Sequence, residues 1–332
     1  MHRRAAWLGL ALALLSAALV LLGASVGSTG FEWPWRLQGD PMLWQIVRDI
    51  RLPRTLGTWL AGALLGLAGA VAQGLFRNPL ADPYLLGSGS GALLGVAASM
   101  AALGGSPFAM SWLARTGLAG AAFAGAVGGV LLTLVLAQGV QHTLRLLLAG
   151  VVVGVVLSAF TSLLMLLSPE IMQALQAFML GSTGTVGWSG CVLMALPLAV
   201  CAAVAFGLSP ALDALALGEA TAASLGIPLA AMRTALVAAL GLATGAAVAQ
   251  TGLVAFVGLA APHLARSLVK VTHGRLVLLA AGLGGALLLG ADILARWLIA
   301  PQELPVGVLT AVLGGTYLLW LMRQRTRAGG AA

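Results

Sequence analysis

Charge is what this sequence has least of. Asp, Glu, Lys and Arg make up 8% of its 332 residues, against about 25% in soluble domains. There is one lysine, Lys270, set between Val269 and Val271. A Walker A loop needs a Gly-Lys-Ser/Thr end to reach the β- and γ-phosphates, so this chain carries none. The run Gly87-Ser88-Gly89-Ser90-Gly91 lacks that lysine and reads as a surface where membrane helices meet. HExxH does not occur, which argues against a zinc peptidase of that type. The four histidines (His2, His142, His263, His273) fall on separate segment ends, so no metal site and no catalytic set is expected. Cysteine is scarce too: Cys191 and Cys201 share one apolar block. At helical rise they lie about 15 Å apart, too far for a disulfide.

What is abundant is apolar and small. Hydrophobic residues are 60% of the chain and Gly is 45 of 332. Long apolar blocks without alternation point to membrane helices rather than a membrane β-barrel. Gly and Ala let such helices approach closely. Ten blocks are legible: 5–27, 55–76, 86–104, 114–138, 144–168, 190–208, 231–250, 252–269, 276–299 and 305–322. The eighth is interrupted by Pro262, His263 and Arg266. The first could be a signal peptide, but it is long enough to span and reads as a membrane helix. Segment 170–188 is amphipathic and reads as a short extracytoplasmic helix. The expected fold is all-α and polytopic, a single membrane domain over 1–332.

The net charge of +8 does not indicate nucleic acid, because the basic residues sit at the ends of apolar blocks. They set orientation instead. With the N-terminus cytoplasmic, eleven of the 17 Lys and Arg residues fall inside, so both termini are expected in the cytoplasm.

A polar interruption, SPALDALALGEATAASLGIP (209–228), then lies on the cytoplasmic side. Pro210 can open a helix, Gly218 breaks it, Glu219 starts a second, and Leu225-Gly226 before Pro228 closes it. Two helices of about two turns each cannot span a bilayer. They suit a plug for a soluble partner or an ordinary surface loop, and shape alone does not choose. On the outer side, Arg48, Arg51 and Arg54 follow at i, i+3 spacing. They suit either acidic protein surface or lipid headgroups. Asp292 with Arg296 at i+4 reads as a neutralised pair in preference to a proton relay.

Several stretches together resemble one family. They are RLPRTLGTWLAGALLGLAGAVAQGLFRNPLADPYLLGSGSGA (51–92), LLLAGVVVG (146–154), LGEATAASLGI (217–227), LVAFVGLAAPHLAR (253–266), ADILAR (291–296) and ELPVGVLTAVLGG (303–315). In order and spacing they are similar to the permease subunits of bacterial type II ABC importers for iron–siderophore complexes, haem and cobalamin (FecCD-like). The resemblance covers nearly the whole chain, and RNPLADP and FVGLxxPHxxR are specific to that family.

The resemblance implies ten helices per subunit, a homodimer, two ATP-binding subunits below and a periplasmic binding protein above, in the inner membrane. It implies no cofactor on this chain, with ATP and Mg on the partner ATPase. Residues 209–228 match the coupling helices, including Asp213, Leu217, Gly218, Glu219, Ala220, Leu225 and Gly226. Thr143 and Leu144 match one cytoplasmic gate, Asn78 and Leu80 a second. Arg51, Arg54 and Arg296 match arginines that meet acids on the binding protein. Leu144 stands where the cobalamin type has a small polar residue, and Gln173 where an arginine is frequent in the haem and cobalamin types. The cargo expected is an iron chelate, siderophore or haem, with cobalamin the alternative. An ion-coupled secondary transporter is the alternative of another class.

Overall fold

The computed structural model describes residues 2–27, 30–31, 40–103, 112–138 and 143–329. His142, one of the four histidines weighed above, lies outside them. The described chain is almost entirely helical. Its one sheet is a short ribbon, β1 (Val26–Gly27) antiparallel to β2 (Gly30–Phe31).

Each of the ten apolar blocks carries a helix: α1 (His2–Ser25), α3 (Leu52–Leu75), α4 (Ser88–Leu103), α5 (Trp112–Leu136), α6 (Thr143–Leu167), α8 (Trp188–Gly207), α11 (Leu229–Thr251), α12 (Val257–Leu268), α13 (His273–Trp297) and α14 (Val306–Gly329). Among the described residues, seven segments are long and apolar enough to cross a membrane. The apolar parts of α4 and α14 are shorter. The eighth block, α12, has 12 residues and rises about 18 Å, less than a bilayer core. The four remaining short helices lie between the blocks: α2 (Pro41–Ile46), α7 (Met172–Leu180), α9 (Ser209–Ala216) and α10 (Glu219–Ser224). α2 runs into α3 through a π-helical turn at Val47–Arg51.

The core is centred on α3, buried along most of its length and packed by α8, α11, α12 and α13. Small residues make this possible. A Cβ on Gly62 or Gly66 would collide with the backbone carbonyls of Gly284 and Ala280 on α13. The two helices therefore meet backbone to backbone through paired small-xxx-small faces. Gly91, in the run that lacks a phosphate-loop lysine, packs on Gly125 of α5. Packing was the reading preferred for it. The outward faces of α6 and α8 are apolar and exposed, as at Val152, Val155, Leu193 and Leu196. That suits lipid or another apolar helix.

Candidate coupling, gate and docking sites

The polar interruption folds as two short helices. Pro210 lies in the first turn of α9, and the Ser209 hydroxyl donates to the Phe206 carbonyl at 2.7 Å. The break is at Gly218, with φ +119° and ψ 153°, a conformation that side-chain-bearing residues rarely adopt. α10 ends in paired bonds, Gly226 N–H to the Ala223 carbonyl (3.0 Å) and Ile227 N–H to the Ala222 carbonyl (3.3 Å). With Gly226 at φ +76°, this is a Schellman stop. Leu212, Leu215 and Ala222 face the core. Leu217 (71% exposed) and Leu225 (63%) face out, beside exposed Ala220 and Gly226. The turn thus holds two large apolar side chains outward.

Two carboxylates fasten this element to the bundle. Asp213 accepts the His273 N–H at 3.0 Å and lies 2.7 Å from His273 Nδ1, at the start of α13. Glu219 Oε1 meets Arg233 Nη2 of α11 at 2.6 Å. The same oxygen accepts the Thr143 hydroxyl at 3.1 Å and lies 3.4 Å from Arg77 Nη2. Partial burial alone would raise the Glu219 carboxyl. The Arg233 charge, the Thr143 bond and Arg77 reverse that and hold it below the ordinary carboxylate range. Its stabilising contribution is thus present above that range and lost as pH falls through the lowered value.

The two segments that the resemblance matches to gates flank this carboxylate. RNPLADP is shaped by two Asx turns: the Asn78 carboxamide oxygen accepts the Leu80 N–H at 2.9 Å, and Asp82 accepts the Tyr84 N–H at 2.8 Å. Asn78 and Leu80 are exposed. Thr143 begins α6, and Leu144 beside it is 69% exposed. Arg266 of the FVGLxxPHxxR motif donates to Gln73 and ties α12 to α3. A 280 Å³ cavity lies between these helices and Ala216 of α9.

At the other end, the expected docking arginines separate. Asp292 is fully buried. Its Oδ1 accepts Arg54 Nη2 at 3.0 Å and the Thr183 hydroxyl. Its Oδ2 lies 2.6 Å from Arg296 Nη2. Arg296 also donates to the Gly23 and Val26 carbonyls at 3.0 and 3.2 Å, pinning the end of α1 to α13. Arg51 lies buried under the same end, 3.5 Å from the Ser25 carbonyl. Arg54 reaches the rim through Glu303 at 2.9 Å, and Arg48 stands mostly exposed. In this conformation Arg51 and Arg296 support the surface from beneath, because burial and internal carbonyls hold their guanidinium groups inward. The roles of Arg77, Arg233, His273, Thr183 and Glu303 were not foreseen. Arg77 and Glu303 carry a signal, as the residues that open RNPLADP and ELPVGVLTAVLGG.

A bundle of apolar helices with a short helix pair at one end defines a polytopic membrane protein. The chain belongs to the FecCD transport family, whose family model matches residues 11–324. It is similar to the vitamin B12 import system permease protein BtuC of Salmonella paratyphi A, 39% identical over 323 residues and 95% of each chain. It is equally similar to the hemin transport system permease protein HmuU of Yersinia pestis, 39% identical over 331 residues and 96% of each. A solved structure described as an inward-facing metal-chelate type ABC transporter matches with a TM-score of 0.85 and 29% identity. That match covers 95% of this chain and 98% of the other.

Proposed function

We propose that this chain is the membrane subunit of an ATP-driven, binding-protein-dependent importer in the bacterial inner membrane, carrying a metal chelate inward by alternating access. The observation that carries the reading is the helix pair α9–α10. It turns exposed Leu217 and Leu225 outward while salt bridges root it in the bundle beside both gate segments. Such an element can receive motion from a soluble ATPase and pass it on. Two copies of the chain enclose the pathway, and two ATP-binding subunits seat on residues 209–228. A periplasmic protein docks on the opposite face around Arg54 and Arg48, with Arg51 and Arg296 behind.

The cargo class is a large metal chelate. Relatives named for vitamin B12 and for hemin stand at the same identity, so haem, ferric siderophore and corrinoid all belong in the assay. The ion-coupled alternative needs a membrane acid free to titrate. Asp292 instead faces two arginines.

In a twofold dimer, residues near the axis meet their own copies. A pair of Leu144 side chains there forms an apolar constriction that closes by excluding water. A tagged chain purified from its native membrane is expected to bring down an ATP-binding subunit. Within that complex, Leu144→Cys is expected to crosslink to the second copy in at least one nucleotide state. A chain that purifies without an ATPase, and never crosslinks at 144, removes the reading.

A further inference from the structure

We propose that Glu219 is the single tie through which the coupling helices move both cytoplasmic gate segments together. The inference rests on the permease reading above and assigns the transmission to one carboxylate.

Three contacts converge on one oxygen atom. Arg77, Thr143 and Arg233 all meet Glu219 Oε1, at 3.4, 3.1 and 2.6 Å. They come from three separate places: the α3–α4 connection, the start of α6 and the start of α11. Arg77 is the residue before gate residue Asn78, and Thr143 the residue before Leu144. One tie therefore acts beside a gate residue and the other on one.

The ties end on stiff segments. Arg77 follows α3 with φ +49°. Its N–H bonds the Gly74 carbonyl at 3.3 Å, and that of Asn78 bonds the Gln73 carbonyl at 3.2 Å. The Asx turn of Asn78 then fixes Leu80. A pull on Arg77 displaces the 77–80 turn as a unit. Thr143 is the first residue of a 25-residue helix, so a pull there moves the end of α6.

Glu219 itself begins α10, one residue after the Gly218 break. A tilt of α10 about Gly218 thus acts first on this carboxylate. Arg233 is buried to 3% and supplies the fixed point against which the tilt works. Arg233 also reaches the Thr143 hydroxyl, at 3.4 Å, so the cluster is closed rather than a chain of independent contacts. Asp213, the other anchor, bonds His273 of α13 instead, away from both gate segments.

The test uses the full complex with its ATPase and binding protein in liposomes, and reads cargo moved per ATP hydrolysed. Glu219→Gln keeps the shape and removes the charge. It is expected to lower that ratio about tenfold, the scale of a lost charge-assisted hydrogen-bond cluster. Arg77→Gln and Thr143→Val are each expected to lower it less, and to add nothing in the Glu219→Gln background, because all act through one oxygen. Two outcomes overturn the proposal: a ratio within about twofold of native in Glu219→Gln, or effects of the two arms that add in its background. If Glu219→Gln does not assemble, Glu219→Asp, which keeps the charge and shortens the reach, is judged by the same ratio. A native complex that moves no cargo with ATP fails the permease reading. A native complex that does, alongside an unaffected Glu219→Gln, fails this inference alone.

Discussion

Asp292→Asn is expected to destabilise the folded chain by about 3–5 kcal/mol, the cost of breaking a buried ion pair by removing one partner. Asp292 has no exposed surface and faces Arg54 at 3.0 Å and Arg296 at 2.6 Å. Its loss leaves Arg296 inside the protein with backbone carbonyls as its remaining partners. It also releases Thr183 and with it the segment after α7. Thermal denaturation in detergent, followed by tryptophan fluorescence, reads the change. The compensated double variant Asp292→Asn, Arg296→Gln is expected to recover part of the loss, since it removes the stranded charge as well. Equal melting of the native and Asp292→Asn proteins would show that this pair does not hold α1 and α3 to α13.

The second large effect is steric. Gly66→Leu is expected to prevent the bundle from closing, because its first side-chain carbon already meets the Ala280 backbone. Overpacking a core by a few methylenes costs about 1–3 kcal/mol when side chains can yield. Here the obstacle is helix backbone, so the helices themselves must separate. Gly290→Leu on α13 is the control, since nothing lies within 4 Å of a Cβ there. Size-exclusion profiles after extraction compare the two: aggregated or absent Gly66→Leu protein against a native-like Gly290→Leu peak. A monodisperse Gly66→Leu peak contradicts the close α3–α13 crossing.

These two sites mark the boundary of what the sequence disclosed. Helix positions were legible, because long apolar blocks and their Gly, Pro and Arg ends report directly on local structure. The 209–228 pair was legible for the same reason. Pro210, Gly218 and Gly226 act within a turn or two of themselves, and the structure puts a helix start, a break and a stop at those places. Arg296 with Asp292 was legible through i+4 spacing.

The rest depends on contacts between distant segments. Glu219 reaches Arg77 across 142 positions, Arg54 reaches Glu303 across 249, and Thr183 reaches Asp292 across 109. No local pattern encodes which carboxylate an arginine will find. Burial is likewise set by neighbours. Arg51, Arg54 and Arg296 look alike as outer-face arginines in the sequence. In the fold, the end of α1 covers Arg51 and Arg296, while Arg54 extends to a rim carboxylate. The short span of α12 was foreshadowed by Pro262 and Arg266, but its length of 12 residues was not.

Coupled uptake tests the account most directly. The complex is reconstituted in liposomes with ATP supplied on the side that bears residues 209–228 and with loaded binding protein on the other. Haem, a ferric siderophore and cyanocobalamin are offered in turn. The account predicts that at least one of these chelates accumulates, and only when ATP, ATPase and binding protein are all present. Accumulation driven by a proton or sodium gradient without the ATPase would contradict it.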